Sequence, residues 1–84
     1  MHILNSSDKI IQPGVYRHYK GNMYKVIGQA RHSETMEELV VYQALYGEYG
    51  LWVRPKTMFL ETVVKESREI PRFAYINNSA LNIK

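Results

Sequence analysis

The chain has no cysteine, only three prolines and a single tryptophan among its 84 residues. Without thiols it has neither a disulfide scaffold nor a thiolate metal site. No apolar run approaches the ~20 residues that a membrane-spanning helix requires. The start, MHILNSSDK, shows no basic region followed by an apolar core, so it does not read as a secretory signal. The N-x-S/T matches at Asn5 and Asn77 therefore carry no weight. Charge of one sign is also scarce: 11 basic against 8 acidic residues leave a net +3. So small an excess favours anionic partners weakly and says nothing about fold. The expectation is a small soluble, cytoplasmic protein without a membrane segment.

What is present is the composition of an ordinary folded domain, 45% hydrophobic and 23% charged. At this length there is room for one domain, burying about 60–65% of its unfolded surface. Position matters more than total charge. Between Arg17 and Arg31 the charged residues are Arg17, Lys20, Lys25 and Arg31, joined by His18 when protonated, and there is no acid. The acids cluster at Glu34, Glu37 and Glu38, and again at Glu66 and Glu69. One segment is thus locally positive and its flanks are not.

That segment reads as a hairpin. Strands rich in β-branched and aromatic residues run over Gly14–Lys20 and Met23–Arg31, joined by a two-residue turn at Gly21-Asn22. A third strand runs over Leu39–Tyr46. The turn Gly47–Gly50 then leads into Leu51–Arg54, which Pro55 ends. One helical or 3₁₀ turn is expected over Pro55–Leu60, an extended stretch over Glu61–Lys65, a polar turn over Lys65–Glu69 and a last strand over Arg72–Ile76. Ser33–Leu39 reads as a loop or a single turn. Short strands with glycine turns predict a mainly β fold, a small SH3-like antiparallel barrel with one short helical or 3₁₀ turn. Residues 13–76 form the domain, 1–12 a flexible lead-in and 77–84 a tail.

The turns set which side chains share a face. A tight Gly21-Asn22 turn sets Lys20 opposite Met23 and puts Val15, Tyr19, Tyr24, Val26 and Ala30 on a core face with Arg17 among them. A buried guanidinium must be paired, here with an acid such as Glu34 or Glu61, unless it reaches the rim. In the second hairpin, Tyr46 opposite Leu51 makes Val40, Tyr42, Ala44, Tyr46, Leu51 and Val53 the core face. Trp52 and Arg54 then lie together on the other side, where an aromatic beside an arginine suits ligand contact. The alternative is a Trp52 that plugs the barrel end.

The remaining motifs are weak. RHSET (31–35) has triad residue types, but consecutive side chains do not form a relay, and there is no G-x-S-x-G elbow. His2, His18 and His32 lack metal-ligand spacing, and Gly47-x-x-Gly50 lacks the lysine of a phosphate loop. No metal or cofactor is expected. Aromatic residues alternate with basic ones in YRHYKGNMYK, a pattern that also suits single-stranded nucleic acid.

The strings GVYRHYKGNMYKVIGQARHSET, VVYQALYG, LWVRPKTMFLE and IPRF, in this order over about Pro13–Ile76, resemble the bacterial domain-of-unknown-function family numbered 1653. The resemblance implies a small bacterial protein with a compact, β-rich, SH3-like fold and implies no activity. Its polar signature residues exceed what a barrel core needs. The leading expectation is a binding module for an anionic ligand, a nucleotide-like molecule or an acidic peptide. Its ligand-binding residues would be Arg17, His18, Arg31, His32, Trp52 and Arg54, with Glu34 orienting the arginines. Single-stranded nucleic acid binding, and a small enzyme using His32 as acid or base, stand as alternatives. A purely structural ion-pair network would instead join Arg17, Glu34 and Arg54.

Overall fold

Runs of β-branched and aromatic residues fold as strands throughout. The computed structural model describes residues 10–77. Its elements, in order, are β1 (Gly14–His18), β2 (Met23–Arg31), β3 (Glu38–Ala44), β4 (Leu51–Pro55), α1 (Lys56–Phe59), β5 (Thr62–Lys65), β6 (Arg68–Pro71) and β7 (Phe73–Asn77). Five strands pair antiparallel in the order β4-β3-β2-β1-β7, and β5 and β6 form a separate two-stranded sheet. The fold is mainly β with one short helix, as expected. The large sheet is not closed, because β4 and β7 are its edges, so the SH3-like barrel describes it approximately. Residues 1–9 of the expected lead-in and 78–84 of the expected tail lie outside the described residues. Within the lead-in, Ile11 is buried in the core, and the Gln12 carbonyl accepts the Tyr16 hydroxyl at 2.7 Å.

Both hairpins depart from the expected register. Met23 pairs with Arg17, not Lys20, and Tyr24 with Tyr16. The loop is wider than a two-residue turn. His18 N–H donates to the Asn22 carbonyl at 2.8 Å and Gly21 N–H to the His18 carbonyl at 2.7 Å, with Gly21 at φ 111°. A positive φ near the end of the loop is what three-residue hairpin connections require. The His18 ring helps: its Nδ1 accepts the Lys20 N–H at 3.2 Å, a donor that a tighter hairpin would place near the ladder. The displacement is odd, so it exchanges the faces. Tyr16 is buried and Arg17 is exposed on the opposite side, while Ala30, expected in the core, is exposed because a bulge between Val26 and Gly28 turns over the end of β2.

The second hairpin shifts likewise. Gln43, not Tyr46, is opposite Leu51, and Tyr42 is opposite Trp52. Gly47 and Tyr49 both take left-handed backbone (φ 60° and 58°), and Tyr49 N–H donates to the Tyr46 carbonyl at 3.0 Å. That turn lifts Tyr46 out of the strand. Trp52 and Arg54 therefore project on the core side of the sheet with Val40 and Tyr42. Leu51 and Val53, expected inside, are exposed.

The core is an aromatic web on the inner sheet face. Ile11, Tyr16, Val26, Val40, Tyr42, Phe59 and Phe73 form one buried cluster. Phe59, delivered by α1, stacks on Phe73 with centroids 4.3 Å apart and planes 5° off parallel. Tyr16 and Tyr42 meet Phe59 edge-on at 5.4 and 5.8 Å. Each such ring contributes about 1.5–3 kcal/mol by burial alone. No helix among the described residues is long and apolar enough to cross a membrane.

Candidate functional site

The inner face continues past the core into a shallow cleft of about 260 Å³ lined by Tyr24, Tyr42, Tyr46, Trp52 and Arg54. The observed register builds it. Tyr24 at the start of β2 neighbours Ala44, and Tyr42 on β3 neighbours Trp52 on the edge strand. The 45–50 loop brings Tyr46 back, so that the Tyr24 and Tyr46 hydroxyls hydrogen-bond at 2.8 Å. Burial, the hydrogen bond to Tyr46 and the neighbouring Tyr46 and Tyr42 push the Tyr24 phenol up to about 12. It stays a neutral hydrogen-bonding group across the physiological range.

Arg54 is the charged group of this cleft. Its Nε donates to the Tyr42 hydroxyl at 3.2 Å, and its guanidinium carbon lies over the Phe73 ring, 5.5 Å from the centroid. Among the described residues the ion pairs are Lys56–Glu38 at 3.7 Å and Arg72–Glu61 at 3.1 Å. Arg54 belongs to neither. An aromatic face and one neutral hydroxyl orient its fork and leave donors unused.

His18 extends the site along β1. Its ring meets Phe73 edge-on at 4.9 Å and Tyr24 at 6.3 Å. Burial lowers its pKa below the usual histidine value, and the charges of Arg72, Arg54 and Lys20 lower it further. Of these three cations Arg72 is paired with Glu61, and Arg54 has no carboxylate partner among the described residues.

The structure thus brings His18, Trp52 and Arg54 to one face and leaves the other expected site residues elsewhere. Arg17 faces the opposite side of the sheet. Arg31 and His32 stand at the far end of β2, roughly 20 Å of strand from Tyr24. There Arg31 Nη1 reaches the Met36 carbonyl at 3.4 Å, and His32 Nδ1 accepts the N–H groups of Glu34 and Thr35 at 3.1 and 3.3 Å. His32 thus shapes its own loop, and Glu34 orients no arginine. No ion pair joins Arg17, Glu34 and Arg54 among the described residues, which removes the internal network considered above. Among the described residues no group of three or more His, Asp or Glu is placed to hold a metal ion. The sequence pattern places Tyr24, Tyr42 and Tyr46 in the core. Their role in the cleft follows once Trp52 is set opposite Tyr42, so the missing signal was the hairpin register.

A small antiparallel β scaffold with an aromatic, arginine-bearing cleft is the class that fold and site define. The family model "Protein of unknown function (DUF1653)" matches residues 14–75, and the chain belongs to that family. The chain is similar to a crystal structure of a protein of the same family from Bordetella bronchiseptica, at 42% identity and a TM-score of 0.76, covering 88% of this chain and 95% of that one. No curated protein matches it.

Proposed function

We propose that this protein is a non-catalytic binding module that takes an anionic group, best presented by an acidic peptide segment, in the cleft of Tyr24, Tyr42, Tyr46, Trp52 and Arg54. The observation that carries the reading is Arg54: a guanidinium held on an aromatic ring, without a carboxylate partner among the described residues, at the mouth of an aromatic cleft. Arg54 supplies forked, charge-assisted hydrogen bonds to a carboxylate. The half-exposed Trp52 indole supplies a plate for the rest of the ligand. His18 adds positive charge when it protonates.

Catalysis by His32 is the less supported reading, because its Nδ1 is engaged by its own loop. Trp52 is the single tryptophan, so its fluorescence reports the cleft directly. Titration with a glutamate-rich peptide is expected to change that fluorescence saturably in the wild type and not in Arg54→Gln. A short single-stranded oligonucleotide that binds far more tightly than the peptide, with steep salt dependence, would assign the cleft to nucleic acid instead. No response to either probe would remove the reading.

A further inference from the structure

Strand β4 is an edge of the large sheet with no strand paired to its outer side among the described residues, and it is short and ends on Pro55, but its middle is left uncovered. It contains no lysine and its pairing with β3 has no bulge. Leu51, Trp52 and Val53 are 65%, 57% and 59% exposed in succession. The ladder's phase decides which backbone groups are free. Ala44 N–H donates to the Gly50 carbonyl at 2.9 Å. Directly opposed residues alternate between hydrogen-bonded and non-bonded pairs. With Tyr42 opposite Trp52 and Val40 opposite Arg54, Trp52 and Arg54 direct their backbone groups to β3. Leu51 and Val53 direct theirs outward, whereas Pro55, the N-cap of α1, turns its carbonyl into the first turn of that helix. Pro55 fits this phase, since proline is tolerated on an edge strand where its missing N–H would face away from the sheet.

We propose that β4 is a homodimerisation edge, to which a second copy of the chain adds antiparallel about a two-fold axis at Val53. In that register Val53 exchanges both backbone hydrogen bonds with the partner's Val53. On the outer face Leu51 covers the partner's Pro55, and the two valines meet. On the inner face Trp52 stands opposite the partner's Arg54 in a non-hydrogen-bonded pair, where side chains approach closest. An indole facing a guanidinium is a favourable cation–π pair. A neighbouring in-phase register, centred on Trp52, sets Arg54 opposite Gly50 of the partner and forfeits that contact.

The occupant is a second copy because the strand complements itself. Read antiparallel about Val53, apolar meets apolar, aromatic meets cation, and the two Val53 residues match donor to acceptor. This isologous pairing brings a second guanidinium, from the partner, beside each Trp52. The proposal does not depend on the cleft's ligand. A five-residue edge buries less than the ~1,200–2,000 Å² of stable interfaces, so association is concentration-dependent.

Sedimentation velocity on the full chain, from micromolar to millimolar concentration, tests it without any ligand. The wild-type mass is expected to rise from 9.9 kDa towards twice that value. Val53→Pro, which deletes an outward N–H and no internal hydrogen bond, is expected to stay monomeric. Val53→Lys, which sets two like charges against each other, is expected to do the same and decides the matter if the proline variant does not fold. Circular dichroism establishes that each variant is folded. A wild type that is monomeric throughout overturns the proposal, as does a dimer that persists in the folded variants. A monomer whose Leu51 and Val53 amide resonances shift with the glutamate-rich peptide would assign this edge to a foreign strand.

Discussion

The guanidinium of Arg54 lies over the ring of Phe73, 5.5 Å from its centroid, although the two residues come from opposite edge strands of the sheet. Phe73 in turn stacks on Phe59 from α1. The core therefore positions the guanidinium that faces the cleft. An exposed cation–π contact contributes only about 0.5–1 kcal/mol. Arg54→Gln is accordingly expected to lower unfolding stability in urea by no more than about 1 kcal/mol while removing anion binding. A loss of several kcal/mol would make Arg54 a structural residue.

Lys56 is 3% exposed, and its Nζ lies 3.7 Å from Glu38 Oε1. A buried amine with one long ion pair gains little, because desolvation offsets attraction. Lys56→Met keeps the length and apolar stem of the side chain. It is expected to be neutral or stabilising in thermal melts. Glu38→Ala, which strands the buried amine, is expected to cost on the order of 1–3 kcal/mol. The reverse order of the two variants would contradict this account.

The β5–β6 hairpin turns on Glu66 and Ser67, both in left-handed backbone at φ 53° and 65°. Neither residue is suited to that region, where the conformation costs roughly 1–2 kcal/mol per L-residue. Asn-Gly is the preferred pair for such a turn. The double variant Glu66→Asn with Ser67→Gly is expected to protect the Val63 and Ile70 amides from hydrogen exchange more strongly than the wild type. Unchanged or weaker protection would show that the turn is not the limiting element of that hairpin.

His18 gives the fold a pH dependence of defined sign. Burial lowers its pKa in the folded state, and the charges of Arg72, Arg54 and Lys20 act in the same direction. Its Nδ1 also accepts a backbone N–H in the hairpin loop. The unfolded chain therefore binds this proton more readily than the folded one. The stability that neutral His18 provides is present above the ordinary histidine pKa of about 6.5 and is lost as pH falls below it. Denaturant unfolding of the wild type should weaken over that acid range, and His18→Gln should flatten the slope. An identical slope in the variant would place the effect on another group.

The strands and the single helical turn were legible because β-branched and aromatic runs and Pro55 mark them without reference to the rest of the chain. The faces were not, because they depend on loop lengths. Gly21-Asn22 has the composition of a two-residue turn, yet the His18 ring and the positive φ of Gly21 widen the loop. Tyr49 adopts left-handed backbone that its residue type does not advertise. Each odd displacement exchanged inside for outside, moving Arg17 out and setting Trp52 beside Tyr42. The β6 strand went unread because Arg68–Pro71 contains a single non-proline apolar residue, Ile70. The Trp52–Arg54 pairing survived the register change because residues two apart on a strand share a face in any register.

The most direct test of the central claim follows the side-chain N–H resonances of Arg54 and Trp52 by nuclear magnetic resonance while a glutamate-rich peptide is added. The account predicts that the Arg54 Nε–H and Trp52 indole N–H signals move together and saturate, with the arginine signals of Arg17 and Arg31 unmoved. Arginine signals that all drift alike, or an Arg54 signal that stays fixed, would contradict it.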